Sequence, residues 1–311
     1  MAGRRWRNGS GPVSVPGLTG MAPADDARSV EHRRGRPKPA VTAAFVPNQP
    51  ASDGAPVGNP FGLPEAMFGL VAGFVLAFLA VSLYAALTPH SRHPSQYGED
   101  VVSLIALWAG FVAAVVVATR MAARDDVAEH AARDAWADRR GQGSVVRDYG
   151  LTLRPWPDIP LGIVAGVASQ YLLVPIVEAP LLPFVHHLYT RLGHPAQNLT
   201  SHAFGPGLAV LAVLVCVGSP LVEELFFRGL LLRSLLGSFE RLGPRLGPAV
   251  SIVVTALVFA LVHFEALQFL GLAGFGVVLG CLAWRTGRLG PSIVAHMAFN
   301  TVTIIAIVAA R

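Results

Sequence analysis

The sequence predicts an all-α, multi-pass membrane protein, a bundle of about seven transmembrane helices. Three observations carry that prediction. Only 14% of the 311 residues are charged while 53% are hydrophobic, against about 25% charge in soluble domains. Several apolar runs approach 20 residues, the length that crosses a bilayer as a helix. The arginines gather at the ends of those runs, as membrane topology requires. The formal net charge of +5 therefore calls for no nucleic acid, and the expected partner is the lipid bilayer. Cys216 and Cys281 both fall in apolar runs and read as small packed hydrophobes, with no disulfide or metal framework.

Residues 1–60 hold nine prolines, many glycines and few large aliphatics. Such a segment cannot bury enough apolar surface to fold, so a disordered tail is expected. Arg4, Arg5, Arg7, Arg33, Arg34, Arg36 and Lys38 make it basic. No apolar core follows the first arginines, which argues against a signal peptide and for a cytoplasmic tail beside anionic lipid. Two spans follow within residues 64–119, Pro64–Leu87 and Val101–Thr119. Pro64 suits a first helical turn and Pro89 a position just past the end. Residues 120–157 form a polar connector. Its first half lacks Pro and Gly and spaces Glu129 and Arg133 as a helical pair, so the second helix is expected to run on to Gly141. Asp148 to Pro155 reads as a turn lying against the membrane.

The third span is expected at Asp158–Val177, broken by Pro175, Pro180 and Pro183. His186, His187, His194 and His202 follow at spacings that match no zinc pattern, so a solvated loop is expected. The fourth helix begins near Gly207, ends near Leu236 and carries Glu223, Glu224 and Arg228. The fifth, Pro248–Phe264, ends with His263. A tight connection, Glu265–Gln268, leads to the sixth, Phe269–Trp284. The seventh, Pro291–Ala310, carries His296 and Asn300. Arginine-rich segments alternate with loops that hold only Arg92 and Arg191. The positive-inside rule then sets the N-terminus in the cytoplasm and the C-terminus outside the cell membrane. On this arrangement His263 lies near one end of its helix and His296 nearer the other end of its own, so tilts or unequal lengths must bring them to one depth.

The chemistry concentrates in Glu223-Glu224-Leu225-Phe226-Phe227-Arg228. Ionisable groups at membrane depth cost roughly 2.5–3.5 kcal/mol each on insertion scales, so three within six residues point to use. Glu224 and Arg228 are four apart, on one face, and can pair. Glu223 is turned about 100° away and is free to face a cavity. Phe259-Ala260-Leu261-Val262-His263 and His296-Met297-Ala298-Phe299-Asn300 add two histidines and an asparagine on other apolar segments.

These stretches resemble, in order, the EExxxR, FxxxH and HxxxN motifs of the CPBP intramembrane protease family, which contains the CAAX prenyl endopeptidases and the bacterial Abi proteins. They cover about the last hundred residues, with no departure at the motif positions. The resemblance implies a CPBP-like core at 158–311 with a four-helix catalytic centre. It implies that Glu223 activates water, that His263 and His296 assist, and that Asn300 contributes to the oxyanion site. Glu224 with Arg228 then holds the site in shape. Phe227 and Phe259 read as packing, and each can also line a substrate groove. No cofactor is certain. Glu223, His263 and His296 can hold Zn²⁺ as in a metalloprotease, although the chain has no HExxH.

Peptide hydrolysis needs an activated water, an oxyanion stabiliser and a proton for the leaving amine. The glutamate, histidines and asparagine supply all three. The expected function is an intramembrane endopeptidase acting on a peptide or membrane-associated protein, with no prenylated partner inferred. A non-catalytic scaffold or bacteriocin-immunity role for the same polar site is the alternative. A proton-coupled transporter is the third reading, against which no inverted repeat is found. A serine nucleophile elbow and an aspartyl dyad within spans are both absent.

Overall fold

A computed structural model describes residues 62–88, 95–132 and 144–310, with only the backbone of 124–132. The expected tail at 1–60 and the expected helix end at Gly141 lie outside the described residues. The helices, in chain order, are α1 Leu63–Leu87, α2 Gln96–Ala132, α3 Val145–Asp148 and α4 Pro155–Leu181. Then come α5 Leu188–Leu192, α6 His194–Ser201, α7 Pro206–Ser238, α8 Gly243–Leu261, α9 Phe269–Thr286 and α10 Gly290–Ala309. Seven of them, α1, α2, α4, α7, α8, α9 and α10, are long and apolar enough to span a membrane. No strand occurs among the described residues. Phe68 and Phe78 of α1 are 75% and 72% exposed. An outward face of that kind suits lipid rather than water.

Helix α1 packs on α2, α4 on α10, and α8 on α9. The α4–α10 crossing is set by small residues: a Cβ on Gly166 would collide with the Ala295 carbonyl oxygen. That close approach fixes the depth of the residue that follows, His296. Between α2 and α4, Tyr149 is fully buried and its hydroxyl donates to the Val115 carbonyl at 3.2 Å. Burial pushes this phenol up to about 12. The Leu289 N–H donates to the Gly150 carbonyl at 2.9 Å, Arg233 donates to the Tyr149 carbonyl at 3.0 Å, and Arg288 pairs with Asp158. The segment thus ties together the middle of α2, the last turns of α7 and the start of α10.

Several boundaries differ from the sequence expectation: α2 begins at Gln96 and α8 at Gly243, each five residues before the expected start. Pro175 does not break the third span, because α4 continues to Leu181. A π-turn at Ser169–Leu173 precedes the proline, with the Val174 N–H reaching back to Ser169. The widened turn makes room for a ring that would otherwise strike the carbonyl four residues back. The same device, a π-turn at Leu214–Gly218, precedes Pro220 in α7. The fifth span also ends early. Helix α8 stops at Leu261, and His263 sits on the turn that follows. The four histidines expected in a solvated loop, 186, 187, 194 and 202, are all exposed, with His194 opening the short helix α6.

Candidate active site

Helix α7 widens again at Leu225–Leu231, a third π-turn that contains Arg228. Just before it, Glu224 is 0% exposed and points into the bundle, while Glu223 lies on a cavity wall. Arg228 is 1% exposed and donates through Nη1 to Glu224 Oε1 at 2.8 Å. Its Nη2 donates to the Gly276 carbonyl of α9 at 3.3 Å. The guanidinium lies 4.5 Å from the Phe259 ring centroid, within cation–π range. Two charges this deep are tolerable only as a hydrogen-bonded pair.

Glu224 does more than hold Arg228. Its Oε1 lies 2.9 Å from His296 Nδ1. A carboxylate bound to Arg is an acceptor, so Nδ1 carries the hydrogen and Nε2 is left unprotonated in the neutral ring. That Nε2 is 3.9 Å from Glu223 Oε2, too long for a direct hydrogen bond. Two acceptors at this separation can each bond a common oxygen ~2.8 Å away, subtending about 90° there, close to the geometry of one water molecule.

His263 is fixed in a similar way. Its Nδ1 is 2.7 Å from the Phe259 carbonyl oxygen, which only accepts, so Nε2 is again the free nitrogen. The ring turns back one helical turn over Phe259, at a centroid distance of 4.7 Å, and Phe259 meets His296 at 5.7 Å. This answers the depth problem: Phe259 lies between the two histidines and touches both. Asn300 spends one N–H on the Val215 carbonyl at 2.9 Å, inside the π-turn of α7, and keeps its other amide hydrogen.

Glu223, His263, His296 and Asn300 all line one cavity of about 760 Å³. Phe227 and Phe259 line it too, at 1% and 0% exposure, and their edge-to-face contact at 5.3 Å is core packing. The zinc expectation finds no ligand set. Among the described residues no three His, Cys, Asp or Glu side chains group to hold a metal.

Some lining residues escape motif reading. Phe275 stacks on Phe299 at 4.0 Å and meets the His296 ring edge-on at 5.5 Å. Asp100, Gln170 and Glu178 line the same cavity from α2 and α4. The only signal for Glu178 was an ionisable residue at the end of an apolar run.

No curated protein and no solved structure matches the chain. Residues 205–302, the stretch that holds Glu223, Glu224, Arg228, His263, His296 and Asn300, match the family model of the Rce1-like type II CAAX prenyl endopeptidases, in agreement with the CPBP family that the three motifs resemble.

Proposed function

We propose that the chain is an intramembrane endopeptidase in which Glu223 activates water for attack on a peptide bond. The observation that carries this reading is the buried series Arg228–Glu224–His296, which leaves His296 Nε2 3.9 Å from Glu223 on the cavity wall. A water held there donates one hydrogen to Glu223 and the other to His296 Nε2, so its lone pair is free to attack. As oxygen bonds the carbonyl carbon, Glu223 takes the proton. The remaining N–H of Asn300 donates to the oxyanion, and the free Nε2 of His263 accepts a hydrogen bond from the substrate backbone. The C–N bond then breaks and Glu223 returns its proton to the leaving amine. Glu224 and Arg228 act through His296 as positioning residues. Phe227 and Phe259 give the peptide an apolar wall.

The substrate is a peptide or membrane-associated segment that enters from the face carrying α5, α6 and the 262–268 turn, whose Tyr189, Gln197 and Gln268 rim the cavity. With the N-terminus cytoplasmic, as arginine placement favours, that face is extracytoplasmic. The core at 158–311 then serves catalysis, with 64–119 as added spans, 120–157 as a cytoplasmic connector and 1–60 as a basic cytoplasmic tail.

The test compares peptide termini in membranes from cells carrying wild type or Glu223→Ala at equal abundance. Loss of a general base lowers the rate by about 10²- to 10⁴-fold, so Glu223-dependent termini should vanish. Identical termini, with Glu223→Ala rescuing every phenotype of the wild type, would sink the protease reading and leave a scaffold.

A further inference from the structure

The walls of the cavity are strongly asymmetric in charge. Its described lining residues include four carboxylates, Asp100, Glu178, Glu223 and Glu265, and no lysine or arginine. Arg228 is nearby but lies behind Phe259, with Nη1 on Glu224 and Nη2 on the Gly276 carbonyl. Opposite the catalytic helix, Glu178 is 1% exposed. The Gly271 N–H in the first turn of α9 donates to its carboxylate, and a Cβ on Gly271 would strike Oε1. This contact satisfies one orphan donor of the α9 N-terminus but uses only one side of the carboxylate. Among the described residues Glu178 Oε2 has no hydrogen-bond partner, and neither do Gln170 Oε1 and Asp100 Oδ2. Among the described residues, the ionisable neighbours that act on Asp100 are Glu99 and the exposed His202.

We infer that Glu178, with Gln170 and Asp100, forms a subsite for a lysine or arginine side chain of the substrate. The inference rests on the endopeptidase reading for the word substrate, but not for binding itself. A buried carboxylate oxygen asks for a donor, and a cation with several N–H groups answers several acceptors at once. The same walls repel an incoming carboxylate, whether an acidic side chain or a free C-terminus.

The experiment uses the full chain in neutral phosphatidylcholine nanodiscs and measures binding of fluorescent apolar octapeptides. In the series a single Lys, norleucine or Glu moves through each position. At one position the wild type should bind the Lys peptide at least about ten-fold more tightly than the Glu peptide. Glu178→Gln keeps the acceptor for Gly271 and should collapse the Lys-to-norleucine affinity ratio toward one. Glu178→Lys should reverse the order and favour the Glu peptide, a gain that misfolding cannot produce. Equal binding of Lys and Glu peptides, no binding of any Lys peptide, or an equal loss for all three peptides in Glu178→Gln would each overturn the inference. Mass spectra of the same peptides report hydrolysis separately. Peptides left intact by the wild type count against the catalytic reading while the binding comparison stands.

Discussion

Arg228→Met isolates the contribution of the buried pair. The substitution keeps an unbranched chain of similar length and removes three contacts: Nη1 to Glu224 at 2.8 Å, Nη2 to the Gly276 carbonyl at 3.3 Å, and the guanidinium against Phe259 at 4.5 Å. More important, it leaves the Glu224 carboxylate at 0% exposure without its cation. Removing one partner of a buried pair costs about 3–5 kcal/mol, whereas replacing both is often close to neutral. With roughly 2–4 °C per kcal/mol for a chain of this size, the apparent Tm of Arg228→Met should fall by about 6–20 °C. The double variant Glu224→Gln/Arg228→Met should recover most of that loss. It should nevertheless stay inactive, because a glutamine no longer dictates that His296 Nδ1 carries the hydrogen. Thermal unfolding of detergent-purified protein, followed by thiol-reactive dye at Cys216 and Cys281, reads the first result, and peptide hydrolysis reads the second. A single variant within about 2 °C of wild type, or a double variant less stable than the single, would refute the argument that Arg228 is there to neutralise Glu224.

Two further perturbations probe the frame and the orientation. Gly166→Val places a side chain against the Ala295 carbonyl and should cost about 1–3 kcal/mol by overpacking; because the displaced backbone precedes His296, turnover should fall more than the Tm shift alone accounts for, which paired kinetics and melting can check. For topology, Asn198→Cys and Arg245→Cys, both at exposed positions, are made in a Cys216→Ala/Cys281→Ala background. A membrane-impermeant maleimide should label Asn198→Cys on intact cells and Arg245→Cys only after permeabilisation; the opposite pattern would invert the proposed orientation and move the cavity mouth to the cytoplasm.

Much of the frame could be read before any coordinates. The spans follow from the need to satisfy every backbone group within lipid, which leaves long apolar helices as the solution for such runs. Local spacing likewise dictates that Glu224 and Arg228 meet, since four residues make about one turn. Other features escaped because they are local departures from α-helical geometry that regular periodicity does not signal. Pro175 looks like a helix end in isolation, and only the π-turn at Ser169–Leu173 lets α4 pass through it. His263 looks like a helix residue, yet it folds back on Phe259 from a turn.

The sequence by itself determined the membrane environment, the number of spans and which polar residues are too costly to be idle, because insertion energies and helical periodicity are local properties. Only the tertiary structure decided that Glu224 holds both Arg228 and His296, that Phe259 joins the two histidines, and that Glu178 from α4 lies on the same cavity as Glu223 from α7. The long-range relations among them, Phe259 with His296, Glu178 with Glu223 and Glu224 with His296, link residues 37, 45 and 72 positions apart and are set by how close helices such as α4 and α10 can approach at Gly166, a matter of side-chain volume at a crossing and not of any spacing along the chain.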